Sequence, residues 1–120
     1  MVINLGQVKE TFEGGPWDVA IKKYIHGIEG GVGLDVTGWE DKYIYTGHGV
    51  IKEEGVYKPQ PIDGTKEDLL IGVVASTTRT AVPSAGVMTV GVINNAAVKY
   101  PFTDKALAVL QREGIQNQED

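Results

Sequence analysis

The sequence predicts a mainly β, β-rich α+β fold: a small antiparallel β-core or barrel-like domain with irregular loops and one C-terminal helix. Three observations carry this expectation. Residues 69–74 and 87–93 are continuous apolar runs of strand length, dense in β-branched side chains. Sixteen glycines in 120 residues are about twice the usual ~7% share, which calls for many turns. Full helix-boundary chemistry occurs only near the end of the chain. Strands so short and interrupted do not suit a doubly wound parallel sheet.

Residues 1–16 begin with the apolar stretch Met1-Val2-Ile3-Asn4-Leu5 and end in Phe12-Glu13-Gly14-Gly15-Pro16, where regular structure is not expected to continue. They form either a detachable N-terminal arm or an ordinary edge strand. Residues 17–120 then make a single β-rich domain. Trp17, Ala20, Ile21, Tyr24, Ile25 and Ile28 recur at spacings of three and four, which predicts a short amphipathic helix over 17–28. Its Val, Ile and Tyr also suit an extended segment, and Gly27 weakens the helical end. Residues 29–35, with three glycines, form a flexible connection.

Residues 42–45 and 48–51 are extended pieces meeting near Gly47, with Tyr43 and Tyr45 on one face. A solvated turn follows at 52–55. Pro59 and Pro61 hold 56–62 extended, Asp63-Gly64 is a second turn, and 65–68 caps one turn of helix. Between the two apolar runs, 76–80 and 82–86 form polar strand edge or loop. Asn94-Asn95 suit the two positive-φ positions of a type I′ hairpin turn into a third strand over 96–100. The closing helix spans about 104–113. Thr103 is its N-cap, Phe102 and Leu107 its hydrophobic staple, and Ala106, Leu107, Val109 and Leu110 its apolar face. Gly114 caps its C-terminus and Ile115 packs on Leu110, leaving 116–120 frayed.

Composition narrows the function classes. Without cysteine the chain has no disulfide and no thiolate-held metal. A net charge of −5 disfavours general nucleic-acid binding, which draws on Lys and Arg against phosphate. No apolar run reaches the ~20 residues of a membrane span, and the N-terminus lacks signal-peptide chemistry, so no membrane partner and no export are expected. Gly30-Gly31-Val32-Gly33 lacks both the last glycine of a dinucleotide fingerprint and the Lys-Ser/Thr of a P-loop. His26 and His48 have no metal-binding spacing, and Ser76 and Ser84 sit in no nucleophile motif. No catalytic residue, metal or cofactor is expected.

From Gly49 onward the pattern resembles the lambda-type head decoration proteins, the capsid-stabilising family of tailed bacteriophages. The residues that carry the resemblance are Tyr57-Lys58-Pro59-Gln60-Pro61-Ile62-Asp63-Gly64, Ile71-Gly72-Val73-Val74 and Gly91-Val92-Ile93-Asn94. A helix of the form Ala106-Leu107-x-x-Leu110-x-x-x-Gly114-Ile115 closes it. The match covers about the C-terminal two-thirds; residues 1–48 lie outside it. The resemblance implies a non-enzymatic virion accessory protein on the outer capsid surface, made in the host cytoplasm. Its implied partners are the major capsid protein and two further copies of itself, as a homotrimer at three-fold sites. It also implies an N-terminal tether that adds a strand to the coat protein. The expected capsid-binding residues are Val2, Ile3, Leu5, Val8, Phe12, Trp17 and Trp39, with Tyr24 and Ile25 beside them. The rival expectation is a carbohydrate-binding or adhesive head-fibre module, which requires Trp17, Trp39, Tyr43 and Tyr45 exposed on one face.

Overall fold

The computed structural model describes residues 20–119. Its strands in chain order are β1 (Ile21–Gly33), β2 (Tyr43–Ile44), β3 (Gly49–Glu53), β4 (Val56–Pro59), β5 (Leu70–Val74), β6 (Thr78–Arg79) and β7 (Ser84–Ile93). Helix α1 (Asp104–Glu113) and strand β8 (Ile115–Asn117) follow, and single 3-10 turns occupy Glu67–Leu69 and Asn95–Ala97. The main sheet has the order β1-β7-β5-β3-β4, antiparallel throughout, with β8 added in parallel to β7. Strands β2 and β6 form a small second sheet. The fold is mainly β with one α-helix near its C-terminus, as the sequence predicts.

Neighbouring residues of the middle strands part between two cores. Ile51, Val73 and Met88 point into one; Val50, Val74 and Val87 point into the other. Both sheet faces are therefore covered, which is why these strands read as unbroken apolar runs and not as alternating ones. Helix α1 closes the first core through Ala106, Val109 and Leu110, aided by Val98, Phe102 and Ile115. The second is closed by Leu34 and Ile44, with Trp39 and Tyr57 packed against it. Burying Val109 and Leu110 contributes roughly 1.5–3 kcal/mol each. The Thr103 cap, whose hydroxyl accepts from the Ala106 N–H at 3.2 Å, contributes about 1 kcal/mol. Packing more than capping holds α1 on the sheet.

The sheet curls toward closure. Beyond β1, the Asp35 N–H donates to the Tyr57 carbonyl of β4 at 2.9 Å, tying the continuation of one outer strand to the other. Residue 91 shows how tightly the strands meet. It pairs with Tyr24 on one side and Ile115 on the other, and a Cβ there would lie 2.5 Å from the Lys23 carbonyl oxygen. Any side chain would pry β1 off β7.

Several expectations need correction. Over its described part, residues 20–28, the predicted helix is instead the start of β1, and the supposed flexible connection at 29–35 continues it to Gly33. Pairing along β7 outweighs the helical spacing, and the β-branched and aromatic content of the segment suits that choice. Gly30 and Gly31, at φ +77° and +74°, absorb extra residues where four positions of β1 run against two of β7. Asn94-Asn95 make no hairpin turn: the Asn94 side chain caps the 3-10 turn by accepting from the Ala96 N–H at 3.1 Å. The third strand at 96–100 is accordingly absent, with Ala96 and Ala97 in that turn. Finally, residues 116–117 are not frayed but belong to β8, and the Gln118 N–H donates to the Ile93 carbonyl at 2.9 Å.

Asn95 locks this closing region. Its buried amide accepts from the Phe102 N–H at 2.7 Å and donates to the Phe102 carbonyl at 3.1 Å, while its own N–H donates to the Asn117 side chain at 2.9 Å. Replacing it with alanine orphans two buried backbone groups, each costing about 1–3 kcal/mol. Asn95→Ala is therefore expected to lose about 2–4 kcal/mol in a urea unfolding titration, against less than about 0.5 kcal/mol for Asn94→Ser, which keeps a capping oxygen.

Candidate functional site

Of the expected capsid-binding residues, Val2, Ile3, Leu5, Val8, Phe12 and Trp17 lie outside the described residues. The part of that surface the structure describes is the start of β1. Among the described residues β1 pairs on one side only, with β7. Its residues 22–26 are all exposed, and Tyr24 and Ile25 keep 54% and 55% of their surface in water. Two neighbouring strand residues normally face opposite ways. Here the register shifts between Tyr24 and His26 and again before Gly27, and both apolar side chains stay outside. Gly27 makes room for this: a Cβ there would strike the Tyr24 hydroxyl and the Val87 carbonyl.

Trp39 sits elsewhere, half-buried in the turn after β1. Its indole N–H donates to the Tyr43 carbonyl at 2.9 Å. The His48 ring meets it at 4.8 Å between centroids and the Tyr100 ring at 6.3 Å, both edge to face. Tyr43 and Tyr45 lie 6.0 Å apart and are partly buried, with the Lys99 ammonium 4.3 Å from the Tyr45 ring centre. Of the four aromatics the adhesive reading requires on one open face, Trp39, Tyr43 and Tyr45 are thus partly buried, and Trp17 lies outside the described residues.

His48 is a core histidine. It is 3% exposed, and its Nε2–H donates to the Gln60 carbonyl at 2.8 Å. Burial drives its pKa down to about 4, only partly offset by that bond. Gln60, also buried, passes the constraint on by donating to the Gly64 and Thr65 carbonyls at 3.3 Å each. His26, by contrast, is exposed on β1. Among the described residues no three His, Asp or Glu side chains group to hold a metal ion, and no helix is long and apolar enough to cross a membrane.

Trp39 also borders a groove of about 480 Å³ that sequence reading missed. Residues 35–40 form one wall and residues 58–66 the other. Each wall carries an Asp-x-Thr turn. Asp35 Oδ1 accepts from the Thr37 N–H at 3.1 Å and from its hydroxyl at 2.7 Å; Asp63 Oδ1 accepts from Thr65 in the same way at 3.1 and 2.8 Å. Bonds from Thr37 and Thr65 hold both carboxyls below their usual pKa, so both are ionised at neutral pH. Lys58 and Lys66 converge on Glu53 at 3.1 and 3.0 Å, and the two ammonium groups lower the Glu53 pKa. The legible signal was the repeated Asp-x-Thr, at 35–37 and 63–65, whose walls come together only through the fold.

Set against models of known protein families and against curated protein sequences, the chain matches none.

The environment of His48 predicts an acid-sensitive fold. Its folded pKa lies near 4, below the ordinary 6.5, so between those values the unfolded chain holds a proton that the folded chain does not. Stability is fully present above pH 6.5 and is lost as pH falls toward 4, by about 3 kcal/mol across the window. Urea midpoints measured from pH 7 to pH 4 are expected to show this fall in the native sequence and a flatter profile in His48→Gln. An equally steep profile in the variant would assign the loss to other groups.

Proposed function

We propose that this chain is a non-enzymatic virion accessory protein that binds the exterior of a tailed-phage capsid and stabilises it, as a homotrimer at three-fold sites. The observation that carries the reading is the start of β1, which among the described residues pairs on one side only and holds Tyr24 and Ile25 outward. A partner that pairs there gains main-chain hydrogen bonds, which ask little of its sequence, and covers apolar surface as well. Three copies around a symmetry axis multiply modest contacts into stable attachment.

The family pattern is coherent in space, which supports the same reading. Its segments fall in β4 and the loop anchored by Gln60, in β5, at the end of β7, and in α1 running into β8. Several of their residues, among them Val73, Ile93, Ala106, Leu110 and Ile115, meet in one core. The segments that carry the resemblance thus belong to one packed unit, as a shared family pattern would require. The residues outside it, 1–48, contain the surface assigned here to the capsid.

Co-sedimentation with expanded tailed-phage capsids tests the proposal. The intact protein is expected to bind saturably in multiples of three. Deletion of residues 1–14, or Tyr24→Ser combined with Ile25→Ser, is expected to weaken binding by about tenfold or more, which corresponds to 1.4 kcal/mol. Light scattering of the free variants checks that they keep the mass of the parent. Absence of capsid binding by the intact protein would overturn the function, and undiminished binding by both variants would overturn the assigned surface.

A further inference from the structure

The groove beside Trp39 lies apart from the β1 edge that carries the capsid reading, and its chemistry differs from that of the edge. Its volume of about 480 Å³ falls within the ~300–1,000 Å³ of small-ligand pockets. Its lining mixes Trp39, Pro59, Pro61 and Ile62 with charged groups of both signs. Asp35, Glu40 and Asp63 stand against Lys58 and Lys66, so neither a cation nor a polyanion finds a field of one sign.

A neutral, hydroxyl-rich ligand fits that mixture. The Thr37 and Thr65 bonds all fall on Oδ1 of Asp35 and Asp63, which turns Oδ2 of each carboxylate to other donors. Those two oxygens accept from hydroxyls, the lysines donate to them, and the indole offers an apolar ring to the C–H face of a sugar. Trp39 is also fixed before any ligand arrives, by its bond to Tyr43 and by the His48 and Tyr100 rings against it. Little side-chain freedom remains to be lost on binding, which is the condition for useful affinity from few contacts.

We infer that this groove binds neutral pyranose units of an oligosaccharide, with Trp39 as the stacking residue and Asp35 and Asp63 as hydroxyl acceptors. The site is independent of the capsid-binding surface and stands or falls separately from it. It differs from the adhesive face expected from sequence, since it uses one of the four aromatics named there and draws its polar groups from two turns.

The test is a titration of the isotope-labelled full chain with cellotetraose, maltotetraose and N-acetylchitotetraose, followed by ¹H–¹⁵N NMR. At least one sugar is expected to shift the Trp39 indole N–H and the amides of Thr37, Gly64 and Thr65 saturably. Trp39→Ala removes the response, but Trp39 also packs on a core, so Asp63→Ala, on an exposed turn, is the discriminating variant. It is expected to keep the remaining spectrum and its capsid binding while weakening the sugar about tenfold, the value of one charged hydrogen bond. No saturable shift with any of the three sugars, or unchanged affinity in a folded Asp63→Ala protein, would overturn the inference.

Discussion

Strand β7 must be satisfied on two edges and two faces at once, and most of the fold follows from that demand. Its middle is buried, so its N–H and C=O groups need protein partners along both edges. β1 supplies one edge along its whole length. β5 is paired to the other edge only at Val87 and Met88, which leaves residues 91–93 to be matched by something else. The chain meets the need by returning from α1 directly as β8. Gly114 makes that return: its N–H closes the helix on the Leu110 and Gln111 carbonyls, and its carbonyl accepts from the Gly91 N–H at 3.2 Å. One residue both ends the helix and begins the pairing.

The same demand separates what was legible in the sequence from what was not. Helix α1 was legible to the residue, because its cap, apolar face and terminal glycine are local chemistry. The turn predicted over 52–55 was legible in part for the same reason: Glu54 and Gly55 make it, with φ of 51° and 80°, whereas Lys52 and Glu53 finish β3. β8 was not: Gln116 and Asn117 are exposed and polar, and become strand only because β7 has an unmatched edge beside them. The 20–28 segment failed in the opposite sense, since its helical spacing is real but β7 offers it a longer partner. Asn95 misled through its chemistry. Asparagine suits a turn, yet here its amide closes a loop onto Phe102, seven residues away, a contact no local pattern announces. The groove was illegible because each Asp-x-Thr is an ordinary turn alone and becomes a wall only when β1 and β4 are drawn together.

Among the described residues, the two outer strands of the sheet treat their outward edges differently. β4 is blunted: Tyr57 gives its carbonyl to Asp35, and Pro59, followed by Pro61, has no N–H to offer. On β1 the protection is softer. Lys22 and Lys23 precede the apolar pair, and four register irregularities interrupt the strand. Flat, regular strands invite indiscriminate pairing, whereas a bulged one admits only a partner whose backbone follows its bends. Such an edge suits selective attachment better than it suits self-aggregation.

Placement matters as much as chemistry. Tyr24 and Ile25 stand near the beginning of β1, and Asp35, on the wall of the groove, stands just past its end. A partner seated at the first therefore has no need to cover the second. The connection between them is stiff, because β1 is paired to β7 from Ile21 to Gly33 and is tied to β4 through Asp35 immediately afterwards. Attachment at one end fixes the direction in which the other is presented. Repeated around a three-fold axis, a groove of modest affinity would be displayed in fixed geometry many times over, and weak binding to a repeating glycan gains most from that kind of repetition.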